Sequence, residues 1–91
     1  MTFPGEEEQS PTQKASAVKR LYQAELMSKA NVVGVGVGYR EKDGLRTGEV
    51  ALVVMVTQKV PRHQLDPQDL IPAELEGIPV DVQVVGELRA L

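Results

Sequence analysis

The sequence contains no cysteine and no tryptophan, and its 91 residues include only one phenylalanine and two tyrosines. Without cysteine the chain can form no disulfide, no thiolate metal site and no cysteine nucleophile. With so few aromatic rings it lacks the stacking platforms on which single-stranded nucleic acids bind. The core must therefore be built from aliphatic side chains, and the abundant valines favour β-strands.

Positive charge is also scarce, because 10 lysines and arginines stand against 13 aspartates and glutamates, which gives a net charge of −3. Binding to nucleic-acid phosphates needs clustered basic residues, so we expect no nucleic-acid partner. No apolar run reaches the ~18 residues of a membrane span, and the acidic, polar N-terminus is unlike a signal peptide. We therefore expect a cytoplasmic protein that does not bind membranes.

The chain is short enough for one domain preceded by an arm. Residues 1–13 are rich in proline and glutamate and predict a flexible acidic arm, with a single domain at 14–91. A helix is predicted from about Thr12 to Lys29, with Thr12 as the N-cap and Leu21 at the centre of its apolar stripe. The residues that recur at helical spacing are Ala15, Val18, Leu21, Tyr22, Leu26 and Lys29.

The middle of the chain predicts a β-hairpin. Val32–Tyr39 alternates valine with glycine along most of its length, and Glu49–Thr57 is apolar on both of its faces. The connection Arg40–Gly48 is polar and contains two glycines, so we expect a long, mobile loop between the two strands.

The remaining part of the chain completes the predicted fold. Residues 58–77 contain the pair Asp66-Pro67, which predicts a second helix of one or two turns. Ile78–Val85 alternates again and predicts the last strand, with Pro79 favouring an edge position. The predicted class is α+β, in the order α-β-β-α-β, with one long helix packed on a three-stranded mixed sheet. We expect the strand order 2-1-3, with the last strand antiparallel beside the first, and 1-2-3 as the alternative.

A row of glycines in the first strand superficially resembles a nucleotide-binding fingerprint. These glycines lie inside a strand rather than at a turn that opens a helix, and their spacing is not GxGxxG. Bare backbone on one strand face instead predicts close approach by another element, either the long helix or another chain. The second strand is apolar on both faces, which is more than one helix can cover, unless residues 58–77 wrap the remainder. We therefore predict a self-association or docking surface formed by Gly34, Gly36, Gly38, Ala51, Val53 and Met55.

The residues that catalysis would require are scarce. His63 is the single histidine and lies in a polar stretch, while the serines fall in the arm and on the first helix. A group of acidic residues lacks histidine or cysteine at ligand spacing, and we expect it to cap turns. It comprises Asp66, Asp69, Glu74 and Glu76. We expect no catalytic residue, no metal site, no cofactor and no enzymatic activity.

Three stretches together resemble a known module. They read ANVVGVGVGYR from Ala30, TGEVALVVMV from Thr47 and DLIPAELEGIPVDVQVVG from Asp69. This combination is similar to the N-terminal module that precedes a trypsin-like peptidase-fold domain in certain bacterial proteins. The histidine and serine segments of that peptidase domain are absent from the sequence, so the resemblance implies no catalytic residue.

Two hypotheses about function follow. The first is a non-catalytic interaction module, which forms a homo-oligomer or packs against a partner domain of the trypsin-like peptidase fold. The alternative is a pro-segment or regulatory domain of a trypsin-like serine peptidase.

Overall fold

The computed structural model describes residues 10–86, so most of the predicted arm and the extension after Gly86 lie outside the described residues. Two 3₁₀ turns, Arg62–Gln64 and Pro67–Asp69, connect the second and third strands. The other elements are, in chain order, α1 (Pro11–Met27), β1 (Val32–Lys42), β2 (Leu45–Val56), β3 (Glu74–Leu75) and β4 (Ile78–Val84).

α1 begins with a reciprocal pair of hydrogen bonds. The Ser10 hydroxyl accepts from the Gln13 N–H at 3.2 Å, and Gln13 Oε1 accepts from the Ser10 N–H at 2.9 Å. Pro11 occupies the first turn, where the helix needs no backbone donor. The N-cap is therefore Ser10 rather than the predicted Thr12. After the helix, Asn31 adopts the left-handed conformation expected for it, with φ of 69°.

The buried side of α1 is narrower than the sequence predicts. Ala15, Val18 and Leu26 are at most 3% exposed, whereas Leu21 is 70% exposed. The predicted central role of Leu21 is wrong because the buried positions 15, 18 and 26, with the partly buried Tyr22, define the side of α1 that faces the sheet. At 3.6 residues per turn, Leu21 points roughly 100° away from their mean direction.

β1 and β2 form a much tighter hairpin than expected. The strands continue to Lys42 and Leu45, and only Asp43 and Gly44 form the turn, with φ values of 54° and 78°. Positive φ at both central residues is typical of a type I′ turn, whose twist matches that of the flanking strands. The prediction of a long mobile loop over Arg40–Gly48 is therefore wrong. The strand register shifts between Tyr39 and Glu41, which marks an irregularity in this part of the hairpin.

The strands form one four-stranded mixed sheet in the order β1-β2-β4-β3, not the expected three-stranded sheet. β4 pairs parallel with β2, so the preferred order 2-1-3, with the last strand antiparallel to the first, is wrong. The three long strands lie in the alternative order, 1-2-3. β2 is apolar on both faces because it is a central strand, and the long crossover to β4 suits a parallel pair.

The predicted second helix is also replaced, by the two 3₁₀ turns and β3. The second turn ends at Asp69, and Leu70 is already extended with ψ of 131°. Pro72 disfavours helical conformation in the residue before it, which limits any helix here. β3 then pairs with the start of β4 through a turn at Glu76 and Gly77, both of which have positive φ. This short fourth strand has no apolar alternation that would predict it.

The core lies between α1 and one face of the sheet. The largest fully buried side chains are Leu26 of α1 and Leu52 and Val54 of β2. Ile71 and Leu75 from the crossover pack against the same cluster. Ile71 and Leu75 therefore lie on the α1 side of the sheet and do not cover the opposite face, contrary to the alternative in which residues 58–77 wrap it. The buried residues of this cluster are Ala15, Val18, Leu26, Val35, Leu52, Val54, Val56 and Ile78.

Candidate interaction surface

Three glycines of β1, which we call the glycine row, lie on the sheet face that points away from α1. Strand residues alternate between faces, and Val35 between them belongs to the core with α1. The expectation that the long helix closely approaches the glycines is therefore wrong. The pairs across β1 and β2 on this second face are Gly34 with Met55, Gly36 with Val53 and Gly38 with Ala51.

Side chains of β2 occupy the space above the glycine row. A Cβ atom built on Gly34 would lie 2.8 Å from Met55 Cε, and one built on Gly38 would lie 3.1 Å from Val53 Cγ2. Both separations are shorter than ordinary van der Waals contacts. Neighbouring side chains therefore explain the glycines at positions 34 and 38, whereas a Cβ atom on Gly36 would make only an ordinary contact, 3.9 Å from Met55 Cε.

The end of the hairpin folds over part of this second face. The backbone N–H of Glu41 donates to Asp81 Oδ2 at 3.0 Å, and Gln83 Nε2 donates to the same oxygen at 2.9 Å. Since β2 lies between β1 and β4, the hairpin must cross β2 to make this contact. Ala51, which lies on the same face opposite α1, is completely buried.

The predicted interface residues therefore lie together, but not with equal exposure. Ala51 is fully buried, while Val53, Met55 and the glycine row remain half-buried. Within residues 10–86, no helix covers this part of the sheet. Sequence reasoning did not identify Asp81 as part of this surface, although alternation along β4 placed it on the same face.

The outer edge of β1 is a second open feature. β1 is an outermost strand of the sheet. Across Gly34–Tyr39 in the described part of the chain, no backbone hydrogen bond runs from it to any element other than β2. Tyr39 is 43% exposed, and its ring contacts the Arg46 guanidinium at 5.5 Å from centroid to Cζ. A long edge strand with unpaired backbone groups can pair with another strand.

A groove runs beside this edge, between β1 and α1. Val37 forms its floor on the β1 side, and polar residues of α1 form its wall, including Lys19 and Arg20. Its volume is about 340 Å³. A partner strand at the β1 edge would therefore lie close to two positive charges.

Another cavity, of about 190 Å³, lies between the end of α1 and the crossover. It is lined mainly by aliphatic side chains, with Lys59 and Arg62 among its polar residues. Nearby, Lys29 is only 9% exposed and its ammonium donates to the Gln68 carbonyl at 2.7 Å. The Ala30 N–H donates to Asp69 Oδ1 at 2.9 Å. These bonds attach the crossover to the helix end.

The predicted turn-capping acids divide between different structural roles. Asp69 accepts the Ala30 N–H, and Glu76 accepts the Tyr22 hydroxyl at 3.5 Å. The negative charge of Glu76 raises the pKa of Tyr22 above its ordinary value of 10.0, because the phenolate would be a second negative charge nearby. In the described range 10–86, histidines and acidic residues form no group of three or more with the spacing of a metal site.

His63 lies on an exposed 3₁₀ turn. Its ring nitrogen Nε2 is 3.5 Å from the side-chain amide of Gln64.

No described helix is both long enough and apolar enough to cross a membrane.

Comparison with protein-family models places this chain beside a known domain. The family model of the NARROW LEAF 1 N-terminal domain matches residues 16–85, which include α1 from its second turn and all four strands. No curated protein matches the chain. The match corrects the resemblance to a bacterial module of trypsin-like peptidases. The three stretches that carried the resemblance lie wholly or mostly within the matched residues, and their family is the one just described.

Proposed function

This chain belongs to the NARROW LEAF 1 N-terminal domain family, and we propose that it is a non-catalytic interaction module that docks through its sheet. The observation that carries the proposal is the second sheet face. In residues 10–86 the single helix packs on the opposite face, and Val53 and Met55 remain half-buried beside the glycine row. Apolar surface of this kind commonly marks a protein–protein contact.

Self-association is the simplest form of such docking. A two-fold dimer uses one patch twice and needs no second gene product. The glycine row belongs to β1, so the second face and the β1 edge are neighbouring features. The pro-segment alternative rested on the resemblance that the family match replaces, and no contact among the described residues favours it.

The non-catalytic part of the proposal rests on the surroundings of His63. Among residues 10–86 its ring contacts an amide rather than a carboxylate or a serine hydroxyl, so none of these residues orients it as a general base. Assays with peptide, ester and phosphate substrates test this part. Turnover that His63→Ala abolishes would contradict it. We also propose a cytoplasmic location, which the absence of cysteine suits and which cell fractionation tests.

Charge substitution at one methionine tests the docking surface. Met55→Lys places a charge on the second face, and Met27→Lys is the matched control because Met27 is 42% exposed on α1. We expect wild type and Met27→Lys to associate equally in sedimentation velocity, and Met55→Lys to associate more weakly while keeping its circular dichroism. Equal association of all three proteins would contradict docking through this face.

A further inference from the structure

We infer that the partner at the β1 edge is a second copy of this chain, whose β1 pairs antiparallel with the first across a two-fold axis at Val37. This inference rests on the self-association part of the proposed function and places a contact at the β1 edge; the second face stays open in such a dimer and remains a separate docking surface. The two four-stranded sheets would then form one continuous eight-stranded sheet, with both α1 helices on the same face.

The first argument is the residue composition of the β1 edge. The segment Gly34–Tyr39 contains neither proline nor a charged residue. Natural edge strands usually carry such residues, or are covered, because bare edges pair with other strands. Register irregularities occur on either side of this segment, between Val32 and Gly34 and between Tyr39 and Glu41. They confine regular pairing to the segment between them.

The second argument is the order of side chains within that segment. Directly opposed residues of two antiparallel strands point to the same face of the sheet, whereas consecutive residues of one strand point to opposite faces. The two-fold axis must therefore lie between the two copies of a single residue, which is then opposite itself. With Val37 on the axis, Val37 faces its own copy, Gly36 faces Gly38, and Val35 faces Tyr39. Glycine thus meets glycine, and the aliphatic residues meet aliphatic or aromatic ones.

The third argument is the exposure of Tyr39. Its ring is 43% exposed at the β1 edge although Tyr39 shares the α1-facing side with Val35 and Val37. The axis at Val37 places Val35 of the second copy directly opposite this ring. Pairs of aromatic and β-branched residues across strands are among the stabilising ones in antiparallel sheets.

The groove beside β1 adds an electrostatic consequence. Lys19 and Arg20 of each copy flank Val37, so pairing brings four positive charges toward the axis. Added salt screens this repulsion, and the dimer should tighten as ionic strength rises. A partner with acidic residues at the same edge would instead bind more weakly in high salt.

Disulfide trapping tests the geometry cleanly because the natural chain contains no cysteine. Under mild oxidation, we expect Val37→Cys alone to give a covalent dimer as the main product. Gly36→Cys and Gly38→Cys should cross-link to each other when mixed, and neither should do so efficiently alone. Gly48→Cys, at a position with open space around it, is the control for random collision.

Four outcomes would overturn the inference. Efficient self-linking of Gly36→Cys alone contradicts the axis at Val37. Absence of cross-links above the Gly48→Cys control, in a protein that still sediments as a dimer, contradicts edge pairing but leaves docking through the sheet intact. A wild-type chain that remains monomeric contradicts both the inference and the self-association on which it rests. Weaker dimer formation at high salt, measured by sedimentation velocity, would contradict a second copy as the partner at the β1 edge.

Discussion

The terminal methyl group of Met55 lies where a side chain on Gly34 would begin, because a Cβ atom there would be 2.8 Å from Met55 Cε. The two residues are paired across β1 and β2. Glycine at this position is therefore explained by a side chain of the same chain, on the sheet face opposite α1. The same face carries the proposed docking surface, so the proposal makes packing within the chain and docking depend on the same residues.

This contact predicts different effects for two glycine substitutions. Gly36→Ala should stabilise the fold by about 0.4–1 kcal/mol, because alanine restricts the unfolded chain and its Cβ meets only an ordinary contact at 3.9 Å. Gly34→Ala should lose that gain, because Met55 must move. Urea unfolding measures both free energies. In a Met55→Ala background Gly34→Ala should recover the stabilisation, and identical effects in both backgrounds would contradict the steric explanation.

Burial on α1 predicts a large difference between two leucines. Leu26 is 2% exposed, so Leu26→Ala should cost about 2–5 kcal/mol through lost transfer energy and a residual cavity. Leu21→Ala should change the free energy of unfolding by less than about 0.5 kcal/mol, as surface substitutions usually do. The urea midpoints of the two variants decide. A large loss from Leu21→Ala would show that the helix packs with a different face.

The carboxylate of Asp81 is predicted to hold the hairpin over the sheet. Asp81→Ala removes the acceptor of the Glu41 N–H, so amide hydrogen exchange at Glu41 should become faster. Exchange at Leu52, in the core of β2, is the internal control and should change little. Asp66→Ala is a matched substitution, because within residues 10–86 the Asp66 carboxylate makes only a long contact, 3.5 Å, with the Gln68 side chain. Fast exchange at Glu41 already in wild type would contradict the folded hairpin.

The proximity of Glu76 predicts a shifted titration of Tyr22. Its pKa should lie above 10.0, first because of the Glu76 charge and then because of burial. Ultraviolet absorbance in a Tyr39→Phe background isolates this group, and Glu76→Gln should lower the pKa toward its ordinary value. The folded state holds this proton more tightly than the unfolded state. Its contribution to stability is therefore present below pH 10 and is lost as the pH rises through the raised pKa. A pKa that is unchanged by Glu76→Gln would contradict the contact.

Much of the secondary structure follows from local patterns, whereas the arrangement of the strands does not. Alternation located β1, β2 and β4 because each has a consistent apolar face. The two type I′-like turns were missed, since their positive φ at Asp43 and Glu76 required recognition of a residue–glycine pair between strands. The central position of β2 was indicated by its two apolar faces, but that pattern was interpreted as an interface.

The candidate surface could also be predicted only in part from local sequence patterns. The glycine row and its β2 neighbours were identified from alternation, which also fixes the face they share. What covers them depends on contacts between residues distant in sequence. The Glu41–Asp81 bond joins positions 40 residues apart, and no local pattern predicts it. The exposure of Leu21 likewise depends on which part of the helix surface the sheet contacts. Hydrophobic periodicity identifies the apolar side of the helix but not the individual residues that the sheet buries.

The native mass of the unmodified chain tests the central claim most directly. Light scattering on protein eluting from a sizing column, at several micromolar concentrations, gives this mass without reference to shape. Docking of the sheet with a second copy predicts a mass that rises with concentration toward twice the 9.9 kDa of one chain. A mass that stays at 9.9 kDa at every concentration, for a chain that is folded by circular dichroism, would contradict it.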